Sequence, residues 1–230
     1  MHAQNIIALF QKQLKDSLKN LPVLVLFLVY PIIALVMTQA MKEQAGMGTF
    51  FVSIFATMHC VFTPIVSTNS IIAEEKEQNT LRVLFMSNVT LKEYLLSIGG
   101  FVLISNLITS CFFLLLTEYT TKQSLLFLLS IGIGSLISII LGACLALFSK
   151  NASAANGIAV PFAMVFAFLP MLANFNSGIE SVSKFTFSQQ VSYLLAGKDL
   201  SAFGIIVLVA NFIILFAIAA FLYSKSNSEE

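Results

Sequence analysis

The chain has 230 residues, of which 58% are hydrophobic and only 10% charged, and its net charge is +1. Soluble domains carry about 25% charged residues, so this chain cannot cover a water-facing surface and its solvent is largely lipid. The near-zero charge gives no reason to expect a nucleic-acid partner. Cys60, Cys111 and Cys144 lie far apart inside apolar runs and give neither a disulfide framework nor a metal spacing.

Residues 1–19 lack a short apolar core followed by a small-residue cleavage site, so no cleavable signal peptide is expected. They read as an amphipathic helix. Wound at about 100° per residue, Ile6, Ile7, Phe10, Leu14 and Leu18 share one face, with Lys12, Lys15 and Lys19 opposite. That is the pattern of a helix lying in the membrane interface with its lysines toward anionic headgroups.

Six segments are apolar over about the 20 residues needed to cross hydrocarbon: Leu21–Met41, Phe50–Ala73, Ile98–Thr117, Ser124–Phe148, Gly157–Ala173 and Ala202–Tyr223. None contains Asp, Glu, Lys or Arg. With the N-terminus inside, the cytosolic segments hold Lys12, Lys15, Lys19, Lys76, Arg82, Lys92, Lys150 and Lys225, and the outer ones only Lys42, Lys122, Lys184 and Lys198. This excess predicts that both termini are cytosolic. Tyr94, Tyr119 and Tyr223 fall near span ends, where amphipathic rings belong; Tyr30 is mid-span. The sequons at Asn88 and Asn151 then face the cytosol and read as chance matches.

Within the spans, Pro22 opens the first. Pro31, Pro64 and Pro161 are expected to kink theirs, and Pro170 to end the fifth. The second span is the most polar. Its Ser53, Thr57, Thr63 and Ser67 either bond their own helix and pack, or line a pathway. His59 has no acidic partner in any span and is a poor relay or metal ligand. The fourth span carries Ser130, Gly134, Ser138 and Gly142 at four-residue spacing, a stripe that lets helix backbones approach closely, within one subunit or between two.

The charges that the spans exclude gather between the second and third. The stretch 74–97 holds Glu74, Glu75, Lys76, Glu77, Arg82, Lys92 and Glu93. Glu74 to Met86 has no Pro or Gly and reads as a short helix, Ser87–Asn88 as a turn, and Thr90 with Glu93 as a capping box opening the next helix. Connections usually run about 4–6 residues; this one is long and patterned enough to be a contact surface.

The run "EEKEQNTLRVLFMSNVTLKEYLL" resembles the membrane subunit of type-2 ABC exporters, the ABC-2 permease family, whose second span is followed by "E-x-E-x-G-T-L-x-x-L". Glu75, Glu77, Thr80, Leu81 and Leu84 match, and Asn79 stands at the glycine position, where Asn tolerates unusual backbone. The segment 174–201, an outer re-entrant or interfacial piece, resembles the family's short outer helix with its "LL-x-G" turn, here Leu194, Leu195 and Gly197.

The resemblance implies one all-α transmembrane domain over 1–230, with an interfacial N-terminal helix, six spans and a cytosolic coupling helix. It implies that Glu75, Glu77, Thr80, Leu81, Arg82 and Leu84 dock a separate cytosolic ATPase subunit, two copies of which serve two permeases, identical or related. ATP and Mg would sit on the ATPase; this chain would bind no cofactor.

The residues agree by exclusion. No "GxxxxGK[ST]" loop is present, and no span offers the His–Asp or paired aspartates of an intramembrane hydrolase, so no catalytic residue and no metal ligand is assigned. No intramembrane charge is available to an ion-coupled carrier, although a site of carbonyls and hydroxyls stays open to one. A non-transporting scaffold is the other alternative. With 22 Phe and short outer connections, an amphipathic cargo (drug, lipid or peptide) is expected. Eleven Lys to one Arg is the bias of an AT-rich bacterial genome, and the plasma membrane the expected location.

Overall fold

The computed structural model describes residues 3–19, 21–41, 47–87, 89–149 and 151–226. Lys42, Asn88 and Lys150 lie outside the described residues, as do the side chains of Pro22, Arg82, Phe85, Tyr223 and Lys225.

The described chain is all-helical: α1 (Ala3–Lys19), α2 (Leu21–Ala40), α3 (Met47–Glu77), α4 (Thr80–Met86), α5 (Leu91–Leu114), α6 (Thr121–Phe148), α7 (Ala152–Ala173), α8 (Ser177–Ser183), α9 (Phe187–Leu195) and α10 (Ala202–Ser226). Among them α2, α3, α5, α6, α7 and α10 are long and apolar enough to cross a membrane. The chain is a multi-pass membrane protein.

Of the six spanning helices α3 is the most buried, and it touches α2, α4, α5, α6, α7 and α9. The small-residue stripe of α6 explains how closely it is gripped. A Cβ built on Gly142 would stand 2.5 Å from the Ile65 carbonyl oxygen, and one on Gly134 3.0 Å from Cys60 Sγ. Ser130 and Ser138 are buried on the same stripe. The contact lies within the chain. A second stripe, Ala155, Ala159, Ala163 and Ala167, is buried on α7, which also packs against α3. Small side chains on both stripes let van der Waals contact replace the hydrophobic drive that lipid removes.

Polar side chains stitch the middle of the bundle. His59 Nε2 lies 3.0 Å from Thr109 Oγ1, and Thr63 Oγ1 donates to the Leu26 carbonyl at 3.1 Å. Asn106 Nδ2 donates to Ser135 Oγ at 2.8 Å. Together these tie α2, α3, α5 and α6 where no water competes.

Two boundaries differ from the sequence expectation. Pro170 does not end its helix: α7 runs on to Ala173 and closes on Asn174. Pro170 is buried, so packing holds the turn that its missing N–H weakens. Nor is Glu74–Met86 one helix. α3 continues through Glu77, the chain breaks at Gln78–Asn79, and α4 begins at Thr80. Asn79 has φ 56°, the left-handed conformation that ends a helix, and it is the residue standing at the glycine position. Pro31, Pro64 and Pro161 sit inside α2, α3 and α7.

At the other end of the bundle, α9 is wedged between α6, α3 and α7. Phe187, Val191 and Leu195 are buried, and Phe187 stacks on Phe166 with centroids 5.5 Å apart. Gly197, at φ 74°, turns the chain out toward α10.

Candidate functional site

The end of the bundle that carries α1 and α4 gathers most of the polar grammar. The four consecutive charges that close α3 point four ways. Glu74 is exposed. Glu75 is 7% exposed, and its Oε1 accepts from Lys12 Nζ and from Gln13 Nε2, the latter at 2.8 Å. Lys76 Nζ donates to the Ser149 carbonyl at 2.9 Å and the Leu147 carbonyl at 3.4 Å, at the C-terminal end of α6. Glu77 Oε2 accepts from the Ala152 N–H at 3.0 Å, at the first turn of α7. A cation at a helix C-terminus and an anion at an N-terminus are each the favoured sign.

Lys12 therefore faces the protein, not the headgroups. The reason lies in how α1 is seated. Leu9, Gln13 and Ser17, four residues apart, are buried, while Ile7, Leu14 and Leu18 face outward. Phe10 meets Phe101 edge to face at 5.9 Å. Lys12 flanks the buried row and falls within reach of Glu75; Lys15 and Lys19 remain exposed. Two further ties fix α1: Asn5 Nδ2 donates to Glu93 Oε2 at 3.3 Å and Ser97 Oγ to the Ile6 carbonyl at 3.3 Å.

The short helix α4 lies across this end. Leu81 and Leu84 are half-buried and pack on the apolar cluster formed by Ile71, Ile72, Tyr94 and Ile98. Val83 and Met86, at 63% and 79% exposed, form its outward apolar face. Thr80 is half-buried; Arg82 belongs to α4, but its side chain is outside the described residues. The capping box that follows is complete. Glu93 N–H donates to Thr90 Oγ1 at 3.3 Å and the Thr90 N–H to Glu93 Oε2 at 3.0 Å. So α4 hangs between a left-handed residue and a cap, two devices that fix chain direction without regular packing. A cavity of about 360 Å³ separates α1 from α3 and α4, lined by Lys12, Asp16, Ser70, Glu74, Gln78 and Thr80 among others.

Of the six docking residues read from the sequence, the five with described side chains lie at this end of the bundle and make different contacts. Glu75 and Glu77 are engaged by α1 and α7. Leu81 and Leu84 turn toward their own core. The outward apolar face belongs to Val83 and Met86, which the sequence reading did not single out: a helical wheel groups Leu81 with Leu84 but leaves open whether that face meets a partner or the chain's own core.

Ser53, Thr57, Thr63 and Ser67 of α3 are buried. Ser53 Oγ donates to the Phe50 carbonyl, Thr57 Oγ1 to Ser53 and Ser67 Oγ to Thr63, at 2.7–2.9 Å. With Thr63 bonded to α2, all four hydroxyls are spent on the bundle. Also unread in the sequence was Asn156. Its Oδ1 accepts from Asn69 Nδ2 and Ser70 Oγ, both at 2.9 Å, joining α3 to α7. An isolated Asn carries no periodic signal of its partner. Among the described residues, no group of three or more His, Cys, Asp or Glu is placed to hold a metal ion.

No curated protein matches the chain. A family model described as "ABC-2 family transporter protein" matches residues 3–224. That match runs from the first turn of α1 to the last turns of α10, through every span and through α4, and the chain belongs to the ABC-2 transporter family.

Proposed function

We propose that this chain is the permease subunit of an ATP-binding-cassette exporter, with α4 as the contact that receives force from a separate cytosolic ATPase. The observation that carries this reading is α4 itself. It is a seven-residue helix strung between two spans, aimed by Asn79 and the Thr90–Glu93 box, with Val83 and Met86 presented outward. Exposed apolar side chains at the polar end of a membrane bundle suit a protein partner's groove. Arg82 is the charged candidate beside them, while Leu81 and Leu84 seat α4 on the core and Glu75 and Glu77 tie the end of α3 to α1 and α7.

In this reading two permeases, identical or related, enclose the pathway and two ATPases bind ATP and Mg. The α4 end is cytosolic, as the Lys and Arg bias predicts, and the membrane is a bacterial plasma membrane. With Ser53, Thr57, Thr63 and Ser67 committed inside the bundle, the pathway runs along outward faces, which are apolar and suit an amphipathic cargo.

The test is co-purification. Val83→Asp and Met86→Asp place charge on an already exposed face, so thermal unfolding should stay within about 0.5 kcal/mol while recovery of the ATPase falls at least tenfold. Leu81→Asp, which buries a charge against the core, should lower both. An ATPase recovered undiminished with both outward variants would remove α4 from the contact.

A further inference from the structure

The cytosolic end of α3 does more than finish a span. Along one face it presents Asn69, Ala73, Lys76 and Glu77, at the 0, 4, 7 and 8 positions that share a helical side. Every one of them is occupied by α6 or α7 or by the core between them. Asn69 and its neighbour Ser70 hold Asn156 Oδ1, one turn into α7. Ala73 is 2% exposed. Lys76 holds the Leu147 carbonyl of α6 and that of its C-cap Ser149, and Glu77 holds the first N–H of α7. Two residues after Glu77 the chain turns at Asn79 into α4.

We propose that Lys76, Glu77 and Asn156 form a clamp that makes the cytosolic ends of α3, α6 and α7 move as one body, so that a displacement of α4 reaches α7. They are positioning residues for coupling. The inference rests on the reading of α4 as the ATPase contact. Its physical basis is a short lever. Between the outward face of α4 and the α3 end lies only the Gln78–Asn79 break, and α3 meets α7 there through polar bonds at two successive levels. The other buried face of α7, Ala155, Ala159, Ala163 and Ala167, carries only methyl side chains, which offer no polar bond to fix the register. The clamp is what prevents sliding at this end.

The test uses the permease–ATPase complex in lipid nanodiscs, with Cys111→Ser to remove the exposed native thiol. Spin labels go at exposed positions Ser87→Cys, the residue that follows α4, and Ala154→Cys on α7, each paired with Ser181→Cys on α8 at the far end. Distances are read before and after trapping with ATP and vanadate. In the otherwise native chain both distances should shift. In Lys76→Ala with Glu77→Ala and Asn156→Ala, the α4 shift should persist and the α7 shift should be lost. Lys76→Arg with Glu77→Gln keeps a cationic donor and an acceptor oxygen, and should restore the α7 shift.

An α7 shift of full size in the triple alanine variant would overturn the clamp. So would loss of both shifts, or of ATPase binding, because the residues would then seat α4 rather than transmit its motion. If no ATPase binds the native chain, or its α4 label does not move on trapping, the reading of α4 fails and takes the clamp with it.

Discussion

At Gly142 a single methyl group has nowhere to go. The nearest atom to the built Cβ is backbone, the Ile65 carbonyl oxygen at 2.5 Å, and the Ile65 Cα and carbonyl carbon lie within 3.2 Å. Backbone cannot swing aside as a rotamer can, so α6 and α3 must separate. Gly142→Ala should cost about 1–3 kcal/mol, the range for overpacking. Gly132, ten residues earlier on α6, has nothing within 4 Å of its Cβ, and there Ala should be neutral or stabilise by up to about 1 kcal/mol through helix propensity. Thermal unfolding of both variants in one detergent decides it. Equal midpoints would mean that the stripe is not a contact. The four-residue spacing was legible in the sequence because it is local; what it meets was not, because spacing defines a face and leaves the neighbour free. Asn106 shows the same limit. Nothing beside it in the sequence names its partner, and only the fold brings Ser135 Oγ to 2.8 Å.

Among the elements, α1 is the one whose seating the sequence read with the wrong partner. A wheel sorts Ile7, Leu14 and Leu18 from the lysines, and that contrast was visible. It cannot tell a lysine facing headgroups from one facing a carboxylate 63 residues away in the chain. Glu75 turns α1 from a floating interfacial helix into a packed one. Its carboxylate is 10% exposed against 35% for the Lys12 side chain. Removing Lys12 therefore leaves a charge in a dry place, and Lys12→Ala should cost about 1–3 kcal/mol, below the fully buried case because Lys12 is itself a third exposed. Glu75→Gln removes the charge and keeps an acceptor for Gln13, so it should cost less. Lys15→Ala, at an exposed position, should stay within about 0.5 kcal/mol. The order Lys12, Glu75, Lys15 in midpoint loss is the measurement, and Lys15→Ala matching Lys12→Ala would sink the pairing. The Thr90 cap gives a second handle. Thr90→Ala should cost about 0.5–2 kcal/mol, and it loosens the far anchor of α4 without touching its outward face. The cap was legible because both partners lie three residues apart. The α3–α4 break is half legible: Asn79 tolerates the left-handed region, but in a run free of Pro and Gly nothing else in the sequence marks where the helix stops.

For the whole molecule, the question is which end of the bundle meets the cytosol, and the charges answer it unevenly. Six spans were readable from hydropathy alone, because lipid forbids unpaired backbone and leaves helices as the solution. Orientation depends on a count of Lys and Arg, and part of that count is now spoken for. Lys12 is bound to Glu75 and Lys76 to the end of α6. Those contacts arise after folding, whereas the bias acts as each span inserts, when every lysine is still free. Pairing in the finished protein therefore leaves the expectation standing: the α1–α4 end is cytosolic and the α8–α9 end outside. With Cys111→Ser as background, a thiol at Met86 should be protected from an impermeant maleimide in intact cells and labelled once they are opened. A thiol at Ser181 should be labelled from outside directly. The far end is polar too: Tyr193 donates to Glu180 at 2.8 Å and Lys198 lies 4.7 Å over the Tyr193 ring, contacts that suit a water-facing rim on either side of a membrane. Labelling of Met86→Cys from outside would invert the molecule. It would also place α4 and the α3 clamp where no cytosolic ATPase can reach them, so this one experiment bears on every mechanism assigned to that end.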